Sequence, residues 1–254
     1  MNSHTRLEFE SEANVEGMLD GVAPPWQARL FRWVEAGTVL FVALTLLAMF
    51  FYQGGTALDP ARPGYSFFEN FFSELGLTVA HSGRTNTVSA LLFFIALASA
   101  GVCLILFFIA APLLFRESRW SYLLSLLGSA FGVLSGIGFT GIAFTPANLF
   151  IDAHIFFVLW AFRLFPLAVI PYVPAILGQP RYPNRYAFLF MGFAALLLLY
   201  VGLLIQGPSP STAGGRIVQV TGQKVIAYAS LLTIYLQARG AGSVLEARRL
   251  SVPT

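Results

Sequence analysis

The chain has 254 residues, of which 57% are hydrophobic and only 11% are charged, and its formal net charge is +3. Soluble domains carry roughly 25% charged residues, so this composition cannot cover a globular surface with polar groups and excludes an ordinary soluble protein. The single cysteine, Cys103, excludes an intrachain disulfide.

Residues 1–25 are polar and acidic, and they lack the apolar core of a signal peptide. Six later segments each supply the roughly 20 apolar residues that a helix needs to cross a bilayer. The predicted spans are about residues 34–52, 87–115, 120–144, 149–177, 187–206 and 217–236. Three prolines in the fourth span are expected to bend it or end it early. The sequence therefore predicts an all-α membrane protein, a bundle of six transmembrane helices.

Basic residues are distributed unevenly between the two predicted membrane faces. One face holds Arg6, Arg29, Arg32, Arg116, Arg119, Arg181, Arg185, Arg239, Arg248 and Arg249. The opposite face holds only Arg62, Arg84 and Arg216. Because Lys and Arg concentrate in cytoplasmic loops, we expect both termini in the cytoplasm and the protein in the plasma (inner) membrane. The predicted organisation is a cytoplasmic tail over 1–33, a transmembrane domain over 34–237 and a cytoplasmic tail over 238–254.

The third span carries a stripe of small residues at intervals of four, formed by Gly128, Gly132 and Gly136 and continued by Thr140. Small residues let two helix backbones approach closely within lipid. The stripe predicts tight helix–helix packing, with a partner helix as one possible occupant and a ligand groove as the alternative.

The first outer loop contains a short segment, 66–76, with helical periodicity. Phe67, Phe71 and Leu75 share one face with Phe68 and Phe72, whereas Asn70, Ser73 and Glu74 share another. Ser66 can cap its start and Gly76 can end it. The pattern predicts a short amphipathic helix at the outer interface. Either it is a plug over the bundle, or it presents its polar residues inward.

Ionisable groups at membrane depth are costly and usually face the bundle interior or water. Asp152 and His154 open the fourth span, but a separation of two residues puts them about 200° apart on a helix. A structural contact is therefore favoured over a catalytic Asp–His pair. In the sixth span, Lys224 lies roughly 10 Å inside the helix start, beside Gln223. We expect Lys224 to pair with Glu74 or Asp152.

Several classes of site have no support in the sequence. The three histidines, His4, His81 and His154, do not have zinc-ligand spacing. There is no phosphate-binding loop, nucleophile elbow or dinucleotide-binding glycine pattern. We expect no cofactor, no metal and no nucleic-acid partner.

The run Asn70-Phe71-Phe72-Ser73-Glu74-Leu75-Gly76 resembles the N-x-x-S-[DE]-L-G signature of a prokaryotic six-helix membrane family, domain of unknown function 998. That family is distantly similar to FRAG/DRAM/Sfk membrane proteins. The segment from Gly138 through Thr145-Pro146 to His154 resembles its third-to-fourth-span hairpin. Gln223, Lys224 and Tyr228 resemble the end of its G-x-x-E-R-x-x-x-Y pattern, with Gln-Lys in place of Glu-Arg, and Gly222 lies directly before Gln223 instead of three residues before it. The resemblance implies six spans and no settled activity.

The leading hypothesis is a non-enzymatic membrane protein that binds a lipid or small amphiphile at its outer side. The candidate ligand-binding residues are Asn70, Ser73, Glu74, Asp152, His154, Gln223 and Lys224. A competing hypothesis is a membrane-embedded hydrolase or transferase that acts on lipid headgroups through His154, Glu74 and Asp152. Two further hypotheses are a transporter of small solutes or ions and a purely structural subunit.

Overall fold

The computed structural model describes residues 25–250, with side chains over 26–248, so the predicted tail lies outside the described residues over 1–24. Six helices account for most of the described chain, and all six are long and apolar enough to cross a membrane. They are α1 (Pro25–Phe51), α2 (Thr87–Ala110), α3 (Arg119–Phe144), α4 (Ile151–Leu177), α5 (Arg185–Gln206) and α6 (Ala213–Leu250). The predicted all-α, multi-pass membrane fold is confirmed.

The helices form a closed ring. Each helix packs against the next one along the chain, and α6 packs against α1. Because six spans alternate in direction, the start of α1 and the end of α6 lie at the same end of the bundle, which we call the termini end. Residues 52–86 cover the opposite end, and we call this segment the roof.

Two helices are longer than the spans that the hydropathy pattern predicts. α1 begins at Pro25, and α6 continues to Leu250. Phe31 near the start of α1 and Ala241 and Leu245 near the end of α6 are buried in one hydrophobic cluster at the termini end. Burial of these apolar side chains extends both helices beyond the segments that the bilayer requires.

The three prolines of α4, Pro166, Pro171 and Pro174, lie inside a helix that continues to Leu177. The expectation that they end the helix early is wrong. In a membrane, neighbouring helices supply packing and polar contacts around the freed backbone groups, so proline is tolerated within a span. α4 buries Phe165 and Tyr172 among its neighbours.

The small-residue stripe of α3 is covered by helices of the same chain. A Cβ atom at Gly128 would collide with Tyr172 of α4, and one at Gly132 would collide with Phe108 of α2. Gly136 faces α2 as well. The stripe therefore serves packing inside the bundle and does not offer an open surface for a partner helix.

The roof contains less helix than the periodicity of 66–76 predicts. A turn occupies 67–69, and a 3₁₀ helix follows over Phe72–Gly76. Asn70 separates the two, because its side-chain Oδ1 accepts from the Ser66 backbone N–H at 2.8 Å and its Nδ2 donates to the Gly55 carbonyl at 3.0 Å. Such side-chain bonds to the backbone compete with a continuous α-helix.

Candidate functional site

The roof is tied to the start of α2 by two polar side chains, Asn86 and Ser89. Asn86 donates from Nδ2 to the carbonyls of Leu75, at 3.1 Å, and Leu77, at 2.9 Å. Its Oδ1 accepts from the Gln53 backbone N–H at 3.2 Å. Ser89, in the first turn of α2, donates to Leu75 as well, at 3.0 Å. These bonds fix the 3₁₀ helix over the interior of the bundle.

The opposite side of the roof is held by α6. On this helix Arg216 lies about two turns before Gln223 and Lys224, and so on the same face. The Arg216 guanidinium donates to the Glu69 carbonyl, and Gln223 Oε1 accepts from the Phe72 backbone N–H at 2.7 Å. Lys224 Nζ donates to the Asn70 carbonyl at 2.5 Å. Side chains of α6 therefore bond to the backbone of the roof at three positions, Glu69, Asn70 and Phe72.

Glu74 is the only buried carboxylate among the described residues, and three polar side chains surround it. It forms an ion pair with Arg216, its Oε2 accepts from Asn70 Nδ2 at 2.6 Å, and His81 Nε2 lies 3.3 Å from its Oε1. Burial raises the pKa of Glu74, but the adjacent His81 imidazole, the Arg216 charge and the Asn70 hydrogen bond together lower it by more. Glu74 is therefore an ionised anchor for the roof.

Lys224 is not paired as the sequence predicted. Among the described residues, no carboxylate lies within ion-pair distance of its amine, and the residue is only 2% exposed. Its Nζ lies 5.0 to 5.4 Å from the ring centroids of Tyr65, Phe67 and Phe72. Glu74 pairs with Arg216 instead. The Lys224 amine is stabilised by the Asn70 carbonyl and by the three aromatic rings.

Two tyrosines complete the polar interior of the roof. Tyr65 donates to the carbonyls of Asn70, at 3.0 Å, and Phe71, at 3.1 Å. Burial raises the pKa of Tyr65 well above its ordinary value and that of Tyr52 to about 12. Both hydroxyls therefore remain protonated donors at neutral pH.

His154 and Asp152 lie apart from the Glu74 cluster. His154 is 6% exposed, and its Nδ1 lies 2.7 Å from the Thr145 carbonyl. Because a carbonyl can only accept, Nδ1 carries the proton. Asp152 is exposed on the other side of α4. The seven predicted site residues thus share one end of the bundle but do not form one cluster.

A central cavity of about 110 Å³ lies inside the ring beneath the roof. Its walls come from the roof, α1, α2, α3, α4 and α6, and they are mostly apolar. Along α2 it extends from Phe93 to Leu104, which corresponds to about 16 Å at 1.5 Å per residue. Its polar lining residues are Thr38, Ser73, Gln223 and Ser230.

Two polar atoms at the roof end of this cavity remain available for a ligand. Gln223 Oε1 is used by the Phe72 backbone, but Gln223 Nε2 has no hydrogen-bond partner within the part of the chain that the structure describes. Ser73 Oγ likewise has none among residues 26–248. Thr38 and Ser230, by contrast, donate to carbonyls of their own helices.

A second cavity, of about 200 Å³, adjoins the first. It lies between the roof and the ends of α2, α3 and α4, and His154 lines it. Ser73, Phe93 and Ile142 line both cavities. No charged side chain lines either one.

Within residues 26–248, no cluster of three His, Cys, Asp or Glu side chains could hold a metal ion.

The structure therefore divides the predicted site residues by role. Ser73, Gln223 and His154 line cavities, whereas Asn70, Glu74 and Lys224 fasten the roof.

Arg216 was not predicted from the sequence as the partner of Glu74. Its position two helical turns before Gln223 and Lys224, on the same face of the sixth span, was the available signal.

Comparison with protein-family models, with curated proteins and with solved structures finds no match to this chain.

Proposed function

We propose that this membrane protein binds a lipid or small amphiphile with its apolar part in the central cavity. The polar part of the ligand lies beneath the roof, beside Ser73 and Gln223. The observation that carries the proposal is a long apolar cavity that ends at two hydrogen-bonding groups without protein partners among the described residues. Ligand pockets combine these two properties, apolar walls and a few placed polar groups.

The charged residues support this proposal as parts of the scaffold. Glu74, Arg216 and Lys224 each contact the protein and do not line the cavities. Their contribution is to hold the roof over the cavity. An apolar ligand beneath it gains roughly 25 cal/mol for each Å² of apolar surface removed from water.

A substitution that fills the cavity tests the proposal. Ala227 of α6 lines the cavity, and Val225, two residues earlier, is 50% exposed. Ala227→Phe is expected to remove co-purifying lipid, as measured by native mass spectrometry and lipid extraction. Val225→Phe adds a comparable ring to the outside of the bundle, and this variant is expected to keep its co-purifying lipid. Equal lipid occupancy in the two variants would contradict the proposal.

Cys103 offers a second measurement because it is the only cysteine in the chain and lines the cavity. An apolar thiol reagent is expected to label it slowly when lipid is bound and faster after delipidation. The Cys103→Ser variant is the control for reaction elsewhere. A labelling rate that does not depend on lipid would count against an occupied cavity.

A hydrolase and a transporter receive less support from the geometry. A hydrolase that uses His154 requires a carboxylate or another activating group near the ring, but Nδ1 bonds to the Thr145 carbonyl and Asp152 is exposed. A transporter requires a polar path toward Arg163, which is exposed on α4. The termini end of the bundle is instead filled by an apolar cluster.

The cellular setting is proposed from charge. We place both termini in the cytoplasm and the protein in the plasma membrane, because seven exposed arginines lie at the termini end. These are Arg29, Arg32, Arg116, Arg119, Arg181, Arg185 and Arg239. Reporter fusions in the roof and at the C-terminus test this, and a cytoplasmic roof would overturn it.

Membership of the domain of unknown function 998 family likewise remains a proposal, supported by the Asn70–Gly76 run.

A further inference from the structure

The two adjoining cavities together define the chemistry of the ligand headgroup, and this inference rests on the proposed function. We infer that the ligand is an uncharged single-chain lipid that carries both a carbonyl and a free hydroxyl, as a monoacylglycerol does. Its chain occupies the central cavity, its carbonyl faces Gln223 and Ser73, and its hydroxyl reaches His154 in the second cavity.

The absence of charge follows from the lining. No charged side chain lines either cavity. Outside them Glu74 pairs with Arg216, and the Lys224 amine is held by the Asn70 carbonyl among three aromatic rings. A phosphate or carboxylate headgroup would therefore be buried here without a counter-charge on the cavity wall, and burying an unpaired ion is strongly unfavourable. The site therefore selects against phospholipids and free fatty acids.

The carbonyl follows from Gln223. The Phe72 backbone N–H holds its Oε1 at 2.7 Å, which fixes the amide so that only the Nε2 donors remain for a ligand. A donor requires an acceptor, and a carbonyl is the acceptor that lies next to the chain in an ester or amide lipid. Ser73 Oγ, which belongs to a residue that lines both cavities, can donate to the same group.

The hydroxyl follows from His154. Nδ1 donates to the Thr145 carbonyl, and no carboxylate among the described residues pairs with this buried ring, so the ring is neutral. In a neutral ring the second nitrogen is an acceptor. Nε2 has no partner within residues 26–248 and belongs to a side chain that lines the second cavity. It requires a donor from the ligand, which a hydroxyl supplies.

A single chain follows from the shape of the central cavity. It extends about 16 Å along α2, and its volume of about 110 Å³ makes it narrow over that length. Two acyl chains would need a wider space. The second cavity, of about 200 Å³, is short and lies at the roof end, where it suits a compact headgroup.

The experiment compares four probes of equal chain length in nanodiscs: a monoacylglycerol, a fatty alcohol, a fatty acid methyl ester and a fatty acid. Affinity is read from protection of Cys103 and from the thermal shift. The monoacylglycerol is expected to bind tightest. The alcohol and the methyl ester each lose one hydrogen bond and should bind about 3- to 10-fold more weakly. The fatty acid anion should bind weakest.

A matched variant identifies the hydroxyl contact. His154→Asn keeps a donor for the Thr145 carbonyl and removes the Nε2 acceptor. It should weaken the monoacylglycerol about 3- to 10-fold and leave the methyl ester unchanged. If this variant does not fold, Ser73→Ala and the wild-type probe series decide the question.

The outcomes separate the two proposals. If no probe protects Cys103, the proposed function fails. If all probes bind equally, or the fatty acid binds tightest, lipid binding survives and the headgroup assignment is overturned. The headgroup assignment is also overturned if His154→Asn weakens binding of the methyl ester as much as it weakens binding of the monoacylglycerol.

Discussion

Arg216 at the start of α6 forms an ion pair with Glu74 of the roof, 142 residues earlier in the chain, and both residues are less than 10% exposed. The pair joins the last helix of the ring to the segment that covers the central cavity. Together with the Lys224–Asn70 and Gln223–Phe72 contacts, it makes the position of the roof depend on the position of α6.

The first prediction concerns this ion pair. Glu74→Gln should lower the free energy of unfolding by about 3–5 kcal/mol, because the buried Arg216 loses its counter-charge. The double variant Glu74→Gln/Arg216→Met should recover a large part of that loss, since no unpaired charge remains. Denaturation in detergent measures both. Additive losses would show that the two residues act independently.

The second prediction follows from the lowered pKa of Glu74. A carboxyl with a depressed folded-state pKa contributes stability above the ordinary Glu pKa of about 4.3 and loses it as pH falls through the folded value. The stability difference between wild type and Glu74→Gln should therefore be constant near neutral pH and shrink below about pH 4. Melting temperatures over that range measure it. A difference that grows with acidity would contradict the prediction.

The third prediction concerns Lys224. Lys224→Met should change the free energy of unfolding by no more than about 1 kcal/mol. The Asn70 carbonyl loses its bond to Lys224 but keeps the hydrogen bond from the Tyr65 hydroxyl, and the substitution removes a buried cation. Lys224→Ala should cost more, about 2–5 kcal/mol by analogy with other large-to-small core changes, because it leaves a void beneath three aromatic rings. Thermal unfolding of both variants measures this. Equal, large losses would indicate that the ammonium group itself is required.

The fourth prediction concerns helix packing. A Cβ atom at Gly101 of α2 would lie 2.7 Å from the Thr140 backbone nitrogen and 2.8 Å from the Gly136 carbonyl oxygen of α3. Gly101→Ala should therefore force the helices apart and cost about 1–3 kcal/mol. Gly192→Ala, where nothing lies within 4 Å, is the control and should not destabilise. A harmless Gly101→Ala would mean that α2 and α3 tolerate a wider separation.

Much of the fold could be predicted because lipid imposes one dominant constraint on each segment separately. Apolar runs must satisfy their own backbone hydrogen bonds and therefore form helices, so the second to fifth spans were predicted to within a few residues. The extra turns of α1 and α6 were not predictable from hydropathy. They depend on the burial of Phe31 and Leu245, which lie in one cluster but far apart in the chain.

The sequence by itself determined the fold class, the six spans and the end of the bundle where the polar residues gather. The tertiary structure decided which of them act together: Glu74 with Arg216 instead of Lys224, and Ser73 with Gln223 and His154 around two cavities. The physical reason is range. Hydropathy acts within one segment, whereas ion pairs and cavity walls require distances between helices, which follow only from how the whole ring packs.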